Sequence, residues 1–81
     1  MSTLLLILDG NCVDIIRAEE NEFIPHVLIL HKWELDNVTF DKLFNVALDL
    51  IIKIFSNKDQ TLYENIEEFD SEISRLISAF K

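Results

Sequence analysis

Glycine, proline and cysteine each occur once in this chain, at Gly10, Pro25 and Cys12. A single glycine excludes the Gly-rich loops that cradle phosphates and nucleotides. One glycine and one proline also leave little material for long flexible loops or linkers. The 81 residues therefore read as one domain spanning 1–81. A lone cysteine forbids an internal disulfide framework and fits a reducing compartment. Bases are scarce as well. Seven Lys and Arg face fifteen Asp and Glu, giving a formal charge of −8. Attraction to phosphate supplies most non-specific nucleic-acid affinity, so direct binding to DNA or RNA is not expected. A basic partner is favoured instead, although solubility alone also rewards an acidic balance.

Long apolar runs are missing too. Leu4–Leu8 is too short for a signal-peptide core and no basic residue precedes it. Further along, Leu50–Ile52 is bounded by Asp49 and Lys53, whereas a membrane span needs about 20 apolar residues. The expectation is a soluble, cytoplasmic protein with no membrane partner.

What is present is a dense supply of core residues: hydrophobic side chains are 49% of the chain, with eleven Ile, twelve Leu and six Phe. That composition argues against disorder. A domain of this length buries roughly 60% of the surface its unfolded chain exposes, so its core must be dense or shared with another chain.

The clearest segment is Thr39–Phe55, TFDKLFNVALDLIIKIF. Phe40, Phe44, Ala47, Ile51 and Ile54 step by four and three, the spacing of one helical face. Leu43, Val46, Leu48, Leu50, Ile52 and Phe55 widen that face until only Asp41, Asn45, Asp49 and Lys53 stay polar. A helix this apolar has to be covered on most sides. Thr39 is the expected cap, with Asp41 near the positive end of the helix dipole.

A second helix is expected over about 61–80. Thr61-Leu62-Tyr63-Glu64 has the capping-box form. Leu62, Ile66, Phe69, Ile73, Leu76 and Phe80 then form a narrow a/d seam. Ser56–Gln60 is a connection of five residues, which suits an antiparallel pair of helices over about 39–56 and 61–80.

Before the helices, Thr3–Leu8 is an apolar strand followed by Asp9-Gly10-Asn11, a hairpin signal. Cys12–Arg17 is the return strand, with a helix from Asn11 to Glu20 as the alternative. Phe23–Leu35 reads as a third strand with Val27, Ile29, His31, Trp33 and Leu35 on one face. Pro25 belongs at its start or on an edge. The expected fold is α+β: a small antiparallel sheet of two or three strands within 3–35, then the helix pair packed on one of its faces.

Catalytic and metal-binding patterns are weak. Leu4–Asn11, LLLILDGN, resembles the first strand of metal-dependent nuclease and phosphatase folds, where the strand-end Asp binds Mg²⁺. That resemblance covers eight residues and implies one ligand, Asp9. Those folds need several parallel strands joined by helices, more than 81 residues supply, so Asp9 is read as a turn residue. His26 and His31 are five apart, which places them on opposite faces of a strand. No CxxC or HExxH spacing occurs. The serines (Ser2, Ser56, Ser71, Ser74, Ser78) lack a Gly-flanked elbow, and Cys12 has no basic neighbour before Arg17. Neither an enzyme nor a cofactor is expected. For His31, a partly buried, hydrogen-bonded role is expected.

Charge pattern says more than charge total. From Asp59 to Ser74 the chain has six acids and no base. Glu64, Glu68 and Glu72 are four apart, so they form one helical stripe with Glu67 beside it. Like charges at that spacing destabilise an isolated helix by a few tenths of a kcal/mol per pair, about 0.2–0.5. Folding alone would place a lysine among them. Either the stripe is a solvated face tolerated by a well-buried seam, or it is a ridge that meets a basic groove. Glu19, Glu20 and Glu22 form a second acidic cluster. Tyr63 and Trp33 are of the types enriched as interface anchors, with a core or sheet-face position the first reading for Trp33.

The partner-binding candidates are thus Glu64, Glu67, Glu68, Glu72, Glu19, Glu20, Glu22, Tyr63 and Trp33. They suggest a non-enzymatic interaction module, most concretely an inhibitor of a basic nucleic-acid-binding protein or nuclease. In size and charge alone the chain is similar to small acidic phage proteins that block restriction or CRISPR nucleases; no motif carries that likeness. The alternative is a self-associating assembly subunit, a homodimer through the helix pair.

Overall fold

In the computed structural model, which describes residues 2–18 and 27–80, the chain forms three strands and then two helices. They are β1 (Ser2–Asp9), β2 (Cys12–Ala18), β3 (Leu28–Leu35), α1 (Asn37–Phe55) and α2 (Leu62–Ala79). β1 is central in an antiparallel sheet of order β2-β1-β3. The α+β reading holds, and so does the hairpin. Asp9 pairs with Cys12 across a two-residue turn, and Gly10 supplies its positive φ of 62° without the steric cost a side chain would bring. Residues 12–18 are strand, not helix.

Pairing sets which side chains share a face. On one side stand Leu4, Leu6, Ile15, Trp33 and Leu35, packed with Phe40, Leu43, Ala47, Ile51 and Ile54 of α1 and Phe69 and Ile73 of α2. Both helices therefore cover the same face. On the other face Leu5, Ile7 and Ala18 are buried, with Ile16 and Val27 packed beside them. This second, smaller cluster makes β1 apolar on both sides, as its unbroken run Leu4–Leu8 requires.

β3 departs from simple alternation. Leu6 pairs with His31 but Ile7 pairs with Ile29, so Leu30 is an extra residue in a bulge. The bulge turns Ile29 to the face of Ile7, away from His31, Trp33 and Leu35. The expected five-residue face is therefore split. β3 begins at Leu28; the expected start at Phe23, and Pro25 and His26 with it, lie outside the described residues.

α1 begins two residues before the expected Thr39, because Asp36 is its cap. The Asp36 carboxylate accepts the Thr39 backbone N–H at 2.7 Å and the Thr39 hydroxyl at 3.1 Å. Thr39 is thus the donor to the cap rather than the cap. The Thr39 backbone and hydroxyl hold the Asp36 carboxyl below its ordinary pKa. α2 is capped as its sequence implied, Thr61 Oγ1 accepting the Glu64 backbone N–H at 3.1 Å.

The expected wrapping of α1 is incomplete. Phe40, Leu43, Ala47, Ile51 and Ile54 are buried, but Ile52 is 71% exposed and Val46 39%. One sheet face and one helix cover a broad stripe, not a full cylinder. In α2 the seam is also shifted at its start: Leu62 is exposed and Asn65 is buried in its place, ahead of Phe69 and Ile73.

A polar clamp ties the sheet to α1. The Ser2 hydroxyl donates to Asn37 Oδ1 at 2.7 Å. Arg17 donates through Nε to Ser2 Oγ at 3.0 Å and through Nη2 to Asn37 Oδ1 at 3.3 Å. Its guanidinium lies 4.9 Å from the Phe40 ring centroid, inside the range of a cation–π contact. Ser2, 1% exposed, is therefore hydrogen-bonded within the protein.

Candidate protein-interaction surface

α2 divides its residues sharply. Asn65, Phe69 and Ile73 point into the core, and the four-residue step puts Glu64 and Glu68 on the side open to water. Glu64, Glu67 and Glu68 are exposed. Among the described residues no lysine or arginine lies within ion-pair distance of these three carboxylates. Glu72, the fourth member of the stripe, is different: Arg75 Nη2 holds its carboxylate at 2.6 Å. Arg75, the residue right after the base-free run and three beyond Glu72, thus supplies the base that the run lacks.

Tyr63 stands exposed at the start of this face, at 68%. A hydrogen bond to Glu67, and that carboxylate's negative charge, push the Tyr63 phenol above its ordinary pKa. The phenol and the carboxylate are four residues apart, adjacent on the helix surface. Tyr63, Glu64, Glu67 and Glu68 therefore form one continuous exposed surface across two turns of α2.

Trp33 is not part of it. The indole is buried at 9% exposure, tilted against Phe69 at 5.7 Å between centroids. Its Nε1–H donates to Asp70 Oδ1 at 2.9 Å. A side chain enclosed this way, with its only donor already bonded, is a core residue rather than an interface anchor. Glu19, Glu20 and Glu22 lie outside the described residues.

Asp70 is the acid whose role the charge pattern hides. It was one of six in an acidic run, yet it faces the sheet. Besides Trp33 it meets His31, with Nε2 3.4 Å from Asp70 Oδ1, and the His31 ring lies 4.6 Å from that of Trp33. His31 is accordingly a half-exposed residue whose ring, beside Trp33 and the Asp70 carboxylate, helps dock α2 on β3. A signal was available: a tryptophan on an inward strand position needs an acceptor, and Asp70 is the acid following Phe69, which packs on it.

Asp9 sits at the hairpin turn between antiparallel strands and is exposed. The parallel-strand setting implied by the nuclease resemblance does not exist here, because β1 is antiparallel to both neighbours. Among the described residues no group of three or more His, Cys, Asp and Glu is arranged to hold a metal ion. Cys12 is exposed and free. No described helix is long and apolar enough to cross a membrane. Comparison with known proteins gives no match to a family model, a curated protein or a solved structure.

Proposed function

We propose that this protein is a non-enzymatic binding module whose acidic α2 face docks on a basic surface of another protein. The observation that carries this reading is that Glu64, Glu67 and Glu68 are exposed together with no cation of the described residues to pair them. The like-charge stripe opposes helix formation slightly, and nothing in the packing of α2 requires it. Glu72 contributes less, because Arg75 already shares its charge. Tyr63 supplies an aromatic contact at the edge of the face. The most concrete partner is a nucleic-acid-binding enzyme, for which regularly spaced carboxylates stand in for a phosphate backbone. Glu19, Glu20 and Glu22 add to the negative charge of the chain in this reading.

The test begins with capture of partners from the native host by wild-type protein and by the double variant Glu64→Lys/Glu68→Lys, at low and high salt. The expected prey binds DNA or RNA, is retained by wild type at low salt and is lost in the variant. With that prey purified, reversal of both charges lowers the association rate by about tenfold or more, and salt does the same to wild type. Binding that ignores both treatments rules the mechanism out.

A second reading, self-association through the helices, draws on Val38, Val46 and Ile52, all exposed on α1. Leftover apolar surface commonly marks association. Light scattering behind size exclusion decides it: a mass that stays at one chain over a wide concentration range removes this reading.

A further inference from the structure

α1 keeps an outer face that neither the sheet nor α2 covers. Val38, Val46 and Ile52 are exposed on it, with Lys42 and Asp49 exposed between them. At about 100° per residue, Lys42 and Asp49 lie along the middle of this face. Val46 falls on one flank, Val38 and Ile52 on the other.

Charge tells which partner suits it. Along its length this side of α1 holds two acids, Asp41 and Asp49, and two bases, Lys42 and Lys53. It is neutral in a chain of charge −8, so it exerts no net pull on a basic or an acidic surface. What it has is two charges left unanswered. Lys42 has no acid three or four positions away in either direction, and only a minor influence on the Asp36 carboxylate. Neither Lys42 nor Asp49 has an ion-pair partner among the described residues. They stand about 10 Å apart along the helix, too far to pair with each other.

Two copies of α1 answer both. Laid antiparallel about a two-fold axis beside Val46, each Lys42 meets Asp49 of the other copy, Val46 meets Val46, and Ile52 meets Val38. The three matches share one register to within a residue's rise, about 1.5 Å. The axis keeps each flank with its like, so Val46 stays on one side of the charge pairs and Val38 with Ile52 on the other. A two-fold contact also makes the charge pair twice, whereas a parallel arrangement would set lysine against lysine. Building on the self-association reading, we propose that a second copy of this chain docks here, α1 against α1 in antiparallel, through paired Lys42 and Asp49 and the apolar Val38, Val46 and Ile52.

The test is light scattering behind size exclusion in about 0.15 M salt, where screening over about 8 Å damps repulsion between the acidic chains but spares facing pairs. A single helix face is a small contact, so the series runs to about 1 mM chain, the range of weak dissociation constants. Mass is expected to rise from one chain toward two. Lys42→Glu and Asp49→Lys, both at exposed positions, are each expected to raise the midpoint concentration about tenfold or more. The combined swap is expected to bring it back within about threefold of wild type. In a Cys12→Ser background, Val46→Cys is expected to link copies by a disulfide on mild oxidation. Ile52→Cys is expected to link faster when mixed with Val38→Cys than alone. A mass of one chain throughout overturns this contact and the self-association reading together. A dimer that ignores the single charge changes, that the combined swap does not rescue, or that links through Ile52→Cys alone as fast as in the mixture overturns this contact and leaves self-association standing.

Discussion

The two helices spend their surfaces in opposite ways. α1 is rich in apolar residues on nearly every side, yet only its stripe Phe40, Leu43, Ala47, Ile51 and Ile54 is buried, while Val46 and Ile52 face outward. α2 has fewer apolar residues and leaves only Leu62 and Tyr63 exposed among the large ones: Phe69 and Ile73 are fully buried, Ile66, Leu76 and Ile77 pack on the core together with the capping Phe80, and most of the remainder is acid, serine and one arginine. The difference teaches that composition does not measure burial. A helix's covering is set by what lies beside it, here one sheet face shared by two helices. Excess greasiness in α1 therefore ends at the surface, whereas the acidic side of α2 was never needed for packing.

The comparison breaks most completely at the residue where both helices and the sheet converge. Phe69 is buried against Trp33, and its ring lies 5.9 Å from that of Phe55 of α1. Phe69→Ala should cost about 3–5 kcal/mol, most or all of the stability of a domain this small. Loss of cooperative thermal unfolding monitored by circular dichroism is the expected outcome. A variant that unfolds within a few degrees of wild type would show that α2 is not held by this seam.

Removing the polar link is a smaller perturbation. Asp70→Ala leaves the Trp33 indole N–H without its acceptor and His31 without its carboxylate. A cost of about 1–3 kcal/mol is expected, measured by urea titration, together with a shift in tryptophan fluorescence. No change in either would mean that packing alone docks α2.

The smallest effect sharpens the picture of the acidic face. The Tyr63 phenol, raised by Glu67, should titrate above its ordinary value when followed by ultraviolet absorbance. For a group raised on folding, the stabilisation is present below the unfolded pKa of about 10 and is lost as pH climbs through the folded value. Glu67→Gln should bring the phenol back toward 10 by removing the carboxylate's charge. An unchanged titration would show that Tyr63 and Glu67 do not meet in solution.

Much of this fold could be read from local pattern. The Asp-Gly turn, the helical spacing of Phe40 through Ile54 and the Thr61 cap are all signals carried within a few residues. What escaped was mostly non-local, the Asp36 cap of α1 being the local exception. Leu30 is inserted opposite no partner, and one extra residue reverses the face of everything before it, which no alternation count on a single strand reveals. Asp36 outcompeted Thr39 as the cap because its carboxylate reaches both the Thr39 backbone and hydroxyl. In the candidate site, the exposure of Glu64, Glu67 and Glu68 follows from their period. The separation of Asp70 and Glu72 from that group depends on Trp33, His31 and Arg75, and Trp33 and His31 come from a different element.

The bulge in β3 has a further effect on how copies of this chain can meet. β3 lies at the rim of the sheet, where unpaired backbone groups invite a second molecule to extend the ladder and start a fibre. An inserted residue kinks that rim, and Lys32 and Glu34 stand exposed along it. Two such rims cannot lie flush, so concentrated solutions of this protein are guarded against edge-to-edge polymerisation at β3 by a single misaligned leucine.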